Sequence, residues 1–88
     1  EPWRAGTAIS LGVGGLRFRS SDTFPAGTLL DLQLRLPGSA EPAGLNGRVA
    51  WSQLQASGVT EVGVEFFDVT EPQRALIHQL VVFLNKRV

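Results

Sequence analysis

A period of two residues runs through the first three quarters of the chain. It is clearest at positions 30–36, where four leucines alternate with Asp31, Gln33 and Arg35. Alternation of this kind is typical of a strand with one buried and one exposed face. Because short strands of this type are stable only in a sheet, the pattern restricts the chain to a mainly β fold.

The same period predicts four more strands, at positions 7–10, 16–20, 47–54 and 61–66, with a loop over 38–46. Turn residues separate them at 25–27 and 56–58. The side chains expected to point inward are Leu16, Phe18, Val49, Trp51, Val62, Val64 and Phe66, while Arg17, Arg19, Arg48, Glu61 and Glu65 point outward. Five short strands of this kind predict a small antiparallel barrel or curled sheet.

The period changes near position 70, where a helix is predicted. Thr70 is placed to cap it, Gln73 to complete a capping box, and Pro72 is tolerated in the first turn. One face carries the apolar stripe Leu76, Ile77, Leu80, Phe83 and Leu84. This stripe is expected to pack on the sheet, while His78 and Val82 lie off it and Lys86 and Arg87 suit the helix C-terminus.

Composition limits the class of protein. Eighty-eight residues, 43% hydrophobic and 18% charged, predict one domain over positions 1–88. The missing cysteines fit a reducing, cytoplasmic compartment, and no apolar run is long enough for membrane insertion. Methionine is absent even at position 1, so we expect a piece of a longer protein. The zero formal net charge argues against a nucleic-acid partner.

No pattern for catalysis is found. His78 is the single histidine, and no metal cluster can be assembled from it. The segment around Ser10 superficially resembles a serine nucleophile turn, but alanine replaces the first glycine and a strand follows instead of a helix. Positions 12–17 fail as a dinucleotide fingerprint because Arg17 occupies the last glycine position. We therefore expect a domain that is not an enzyme and carries no cofactor.

Three glycines, Gly12, Gly14 and Gly15, separate the first two predicted strands. Glycines reach positive φ and leave backbone N–H groups accessible, so such a turn can bind phosphate. The alternative interpretation is a β-hairpin turn without a ligand.

Four segments of the chain resemble segments of the PilZ domain family in their order and spacing. They are positions 6–18, 25–28, 47–51 and 62–66, and the predicted helix follows them as it does in the family. In that family the first segment reads glycine, strand, Asp/Asn-x-Ser-x-x-Gly and an apolar strand. The resemblance covers about positions 4 to 84. It implies a six-stranded β-barrel with a C-terminal helix, which serves in bacteria as a cytoplasmic receptor or adaptor for cyclic di-GMP.

This chain departs from the family pattern at the ligand motif. Ser10 stands in place of Asp/Asn and Gly12 in place of the motif serine, while Gly15 matches. A serine hydroxyl has a shorter reach than a carboxylate or amide, so binding is expected to weaken. The family's Arg-x-x-x-Arg segment is absent, since Arg4 alone precedes the turn and lies too close to Ser10. The family's first strand is expected to be missing with it.

Carried over by the resemblance, the candidate cyclic di-GMP ligands are Arg4, Ser10, Gly12, Gly15, Arg17, Arg19 and Trp51. Arginine would bind phosphate or stack on guanine, and the indole would offer a ring for stacking. The alternative is that Arg17 and Arg19 form a solvated strand face and that Trp51 is a core aromatic.

Two functions follow from the resemblance. The first is a non-catalytic receptor or adaptor of cyclic di-GMP signalling, with direct ligand binding weak or absent. The second is a degenerate PilZ-like protein-interaction domain that has lost the ligand. A third interpretation is a barrel that binds single-stranded nucleic acid. It ranks lower because the chain has few aromatic and basic residues. We expect a protein partner or adjacent domain, and self-association through a patch that includes Val82.

Overall fold

The computed structural model describes residues 7–35 and 43–85. They form β1 (Thr7–Leu11), β2 (Gly15–Ser20), β3 (Leu29–Leu34), β4 (Ala43–Leu54), β5 (Thr60–Phe67) and α1 (Glu71–Asn85). The strands pair antiparallel in one sheet, in the order β1-β2-β5-β4-β3. The prediction of a mainly β fold with one C-terminal helix is confirmed, and the arrangement is consistent with a small PilZ-type β-barrel. The part of the chain described contains five strands, where the resemblance implied six.

The core lies on the inner face of this sheet. Leu16, Val49, Val62 and Val64 form its centre, and Val49 and Val62 are 1% and 0% exposed. Partly buried side chains from β1, β2, β3, β5 and one loop surround the centre: Leu11, Phe18, Phe24, Leu30, Leu32, Leu34 and Phe66. The alternation in β2, β3 and β5 therefore predicted the buried face correctly; Leu36 lies outside the described residues.

The predicted loop over 38–46 is wrong in its second half. β4 begins at Ala43, and Leu45, which pairs with Leu32 of β3, is 4% exposed. Gly44 looks like a turn residue in the sequence, yet it lies within this strand. A β-carbon at Gly47, on the inner face, would lie 2.6 Å from Val64 Cγ1 and 2.9 Å from Leu32 Cδ1, so a larger residue there would force these side chains to move. Positions 38–42 lie outside the described residues.

Two predicted turns are confirmed. At the first, the Thr28 N–H and hydroxyl both donate to the Pro25 carbonyl, at 3.1 and 2.6 Å, and Gly27 has a φ of 91°. At the second, the Gly58 N–H donates to the Gln55 carbonyl at 3.0 Å, with φ 89° at Gly58. Glycine is favoured at both sites because an L side chain rarely adopts positive φ.

The helix begins with the predicted capping box. The Gln73 N–H donates to Thr70 Oγ1 at 3.2 Å, and the Thr70 N–H donates to Gln73 Oε1 at 2.9 Å. Gln73 Nε2 also donates to the Gly44 carbonyl at 2.8 Å, which fastens the start of α1 to β4. These bonds satisfy donors that a helix start otherwise leaves unpaired.

The apolar stripe of α1 packs as predicted where its side chains are described. Ile77 and Leu80 are 3% and 8% exposed and line a shallow apolar recess with Leu34 and Leu45. His78 is exposed and Val82 is 39% exposed, also as predicted. The side chains of Phe83 and Leu84, and the residues Lys86 and Arg87, lie outside the described part.

Candidate functional site

Two β-bulges decide which side chains reach the outer face of the sheet. On β1, Ala8 pairs with Phe18 but Ser10 pairs with Arg17, so Ile9 is an extra residue. On β4, Val49 pairs with Val64 but Trp51 pairs with Gly63, so Ala50 is extra. One extra residue reverses the face of everything beyond it, because side chains alternate with a period of two.

The bulges bring four residues into one row across four strands. Ser10 of β1 pairs with Arg17 of β2, Arg17 with Gly63 of β5, and Gly63 with Trp51 of β4. Directly paired residues share a face, so this outer-face row (Ser10, Arg17, Gly63, Trp51) lies opposite the core. Three of the candidate ligand contacts taken from the sequence thus lie in one row, with Gly63 between Arg17 and Trp51.

The expectation that Trp51 points inward is wrong. Its side chain is on the outer face and is 40% exposed, because the bulge at Ala50 takes it off the face that Val49 occupies. The indole covers Gly63, and a β-carbon at position 63 would clash with its atoms Cε2, Nε1 and Cζ2. Trp51 is therefore an aromatic surface on the sheet, with Gly63 beneath it.

Arg17 and Arg19 also lie on the outer face, with side chains 47% and 60% exposed. Both are paired with one carboxylate. Arg17 Nη1 donates to Glu61 Oε1 at 3.1 Å, and Arg19 Nε lies 4.0 Å from Glu61 Oε2. The Glu61 side chain is only 17% exposed. This arginine–glutamate cluster (Arg17, Arg19, Glu61) places an internal carboxylate where the arginines could otherwise contact an anion.

A third arginine occupies the neighbouring part of the outer face. Arg48 Nη1 lies 3.7 Å from Glu65 Oε1, and its guanidinium carbon lies 4.8 Å from the centre of the Phe67 ring. The ring and the carboxylate hold this guanidinium at the far end of β5. Arg48 is thus engaged separately from the arginine–glutamate cluster.

The glycine turn between β1 and β2 differs from the expected anion cradle. Among the described residues, positive φ at glycine occurs at Gly27 and Gly58 and not in this turn. The Gly12 N–H donates to the Gly15 carbonyl at 2.9 Å, and the Gly14 carbonyl accepts from the Phe66 N–H at 2.9 Å. The Gly12 amide is therefore already used inside the turn.

Of the three turn glycines, Gly15 alone is sterically required. A β-carbon there would clash with the Val64 carbonyl oxygen, whereas Gly14 faces open space and Gly12 has a neighbour at 4.0 Å. Gly15 is also the one glycine that matches the family motif. Its position indicates close approach of β2 and β5 at the turn.

The structure thus places Ser10, Arg17 and Trp51 in one row, and Arg19 lies beside Arg17 on the same face. The glycine turn joins the ends of β1 and β2. Arg4 lies outside the described residues. Sequence reasoning missed Gly63 and the role of Glu61. The signal for Glu61 was its outward position on β5, but its pairing with Arg17 depends on a strand order that alternation does not reveal.

Other kinds of site find no support in the residues described. No group of three or more His, Cys, Asp or Glu side chains among them could bind a metal ion. None of their helices is long and apolar enough to span a membrane. The recess under α1 is lined by apolar side chains and Gln73, whose amide already binds Gly44.

Comparison with known proteins agrees with the fold and the motif order. No curated protein and no solved structure matches the chain. The family model of the PilZ domain, however, matches residues 1–83. Since that match spans nearly all of the 88 residues, the chain belongs to the PilZ domain family.

Proposed function

We propose that this domain is a non-catalytic regulatory module of cyclic di-GMP signalling in the bacterial cytoplasm, an adaptor that binds the nucleotide only weakly by itself. Membership of the PilZ family supports the signalling class. The observation that carries the proposal is the outer-face row, in which two bulges place a hydroxyl, a guanidinium and an indole in one line across the sheet.

The row offers the kinds of contact that a cyclic dinucleotide needs. An exposed indole stacks on a planar base, and a guanidinium binds a phosphate through charge-assisted hydrogen bonds. Ser10, paired with Arg17, adds a hydroxyl that can both donate and accept.

Three features argue for low affinity. Ser10 and Gly12 replace the side chains that the family motif supplies, the Gly12 amide is used within the turn, and Glu61 occupies the guanidinium groups of Arg17 and Arg19. We therefore expect a dissociation constant of about 0.1 mM or weaker, less than roughly 5.5 kcal/mol of binding free energy.

A titration of the labelled domain with cyclic di-GMP tests this function. Amide and indole NMR signals follow weak binding that calorimetry misses, and Trp51→Phe identifies which indole signal belongs to Trp51. We expect shifts at Ser10, Arg17 and Trp51 with a midpoint of about 0.1 mM or higher. A low-micromolar midpoint would contradict the weak-binding adaptor.

The second candidate function is a protein-interaction domain that has lost the ligand, contacting a partner protein, an adjacent domain or a second copy. The neutralised arginines favour it, together with exposed apolar side chains at Trp51 and Leu54, 40% and 69% exposed. The same titration separates the two: an outer-face row that does not respond to about 2 mM nucleotide supports the interaction domain.

A further inference from the structure

We propose that Glu61 is an internal competitor for anions: its carboxylate occupies Arg17 and Arg19 and sets how tightly the outer face binds a phosphate group. This inference rests on the proposed function, since it concerns the affinity of the same face. It adds a residue outside the family's ligand motif, on a strand that the motif does not include.

Glu61 lies beside both arginines on the outer face, and Arg17 is itself a member of the outer-face row. Glu61 pairs directly with Arg19 across β2 and β5, and Arg17 pairs with Gly63, two residues further along β5. Its two oxygens are divided between the arginines, Oε1 at 3.1 Å from Arg17 Nη1 and Oε2 at 4.0 Å from Arg19 Nε. A carboxylate and a phosphate both bind guanidinium N–H groups, so Glu61 and a phosphate compete for Arg17 and Arg19.

Burial makes the competition unequal. The Glu61 side chain is 17% exposed while the arginines are 47% and 60% exposed. The carboxylate therefore stays in place on the sheet, whereas the arginine head groups can rotate toward a ligand. Because the arginine side of these ion pairs is exposed to solvent, the pairs contribute little net stability and an incoming phosphate can separate them. The carboxylate that remains then repels the bound anion.

The sheet also contains a matched control. Glu65 lies on the same strand and the same face, four residues further on, and contacts Arg48 at 3.7 Å instead of Arg17 or Arg19. Glu61→Gln and Glu65→Gln remove the same charge and keep the same shape. A difference between them reports the local contact, while an equal effect reports net charge alone.

The experiment measures binding of cyclic di-GMP and of inorganic pyrophosphate by NMR titration at constant ionic strength, for the wild-type chain and both variants. We expect Glu61→Gln to bind each ligand about tenfold more tightly, which is about 1.4 kcal/mol, and Glu65→Gln to change affinity less than twofold. Adding Arg17→Gln to Glu61→Gln is expected to remove the gain. Thermal unfolding of each variant, and Glu61→Ala as a second substitution, separate a binding effect from a folding defect.

Equal gains in the two glutamine variants would overturn the inference, as would an unchanged pyrophosphate affinity in folded Glu61→Gln. A gain for pyrophosphate without any cyclic di-GMP binding supports the competitor role of Glu61 and contradicts the proposed function. The two ligands therefore distinguish failure of the inference from failure of the function.

Discussion

Trp51 lies over Gly63 on the outer face of the sheet, and the two are direct partners across β4 and β5. The contact depends on the absence of a side chain at position 63. Gly63 is buried because the indole covers it, although it faces away from the core. A single methyl group at position 63 would therefore test where the indole lies while leaving Trp51 itself unchanged.

Gly63→Ala is expected to displace the indole and to destabilise the domain by about 1–3 kcal/mol, the usual cost of overpacking. The variant is measured in a Trp3→Phe background, which leaves Trp51 as the sole tryptophan. The fluorescence of Trp51 should shift to the red and become easier to quench with acrylamide. Gly44→Ala is the control, since Gly44 lies in β4 with open space around its β-carbon position. Identical emission from the two variants would contradict the contact.

The glycine turn offers a second pair of neighbouring substitutions. Gly15→Ala would bring a β-carbon against the Val64 carbonyl and separate β2 from β5, so we expect a loss of about 3 kcal/mol or more. Gly14→Ala meets no neighbour within 4 Å and should change stability by no more than about 0.5 kcal/mol. Urea denaturation measures both. Similar losses at the two positions would mean that the turn, and not the strand contact, requires glycine.

The leucine strand gives a test of the two faces of the sheet. Leu32 is half-buried, packs against the core cluster and contacts the Gly47 position, so Leu32→Ala should cost about 2–3 kcal/mol. Asp31, its exposed neighbour, should tolerate alanine within about 0.5 kcal/mol. Chemical denaturation compares them, and equal losses would show that the faces are assigned incorrectly.

The exposed side of α1 is expected to take part in weak self-association. Val82 is 39% exposed on a helix whose buried residues face the sheet, while His78 is exposed and polar. Val82→Glu should lower association more than His78→Glu, because a charge is costly in an apolar contact and tolerated in water. Sedimentation equilibrium near 0.1 mM, a concentration at which contacts of roughly 5.5 kcal/mol are populated, measures this. A monomer at every concentration would remove the prediction.

The strands and the helix start could be predicted because local patterns specify them. Alternating leucines need a buried face whatever their partner, and Thr70 with Gln73 makes a capping box within four residues. The start of β4 was missed because Gly44 and its neighbours have turn-like composition, while the strand there is stabilised by pairing with β3. Tertiary pairing decided what local propensity could not.

The candidate site was predictable in its residue types but not in its geometry. Ser10, Arg17 and Trp51 were selected by motif resemblance and chemistry, yet alternation placed Trp51 in the core. Each bulge adds one residue that no composition signal marks, and it reverses the face from that point on. Glu61 gained its role from the β2–β5 pairing, which connects residues 44 positions apart in the chain.

The hydrogen bond from the Phe66 N–H to the Gly14 carbonyl joins the glycine turn to the end of β5, four residues before Thr70 caps the helix. If the turn shifts, either the end of β5 moves with it or the hydrogen bond breaks. In both cases the Phe66 amide reports the change in the turn. Its rate of hydrogen exchange and its amide chemical shift record events in the turn from inside a strand.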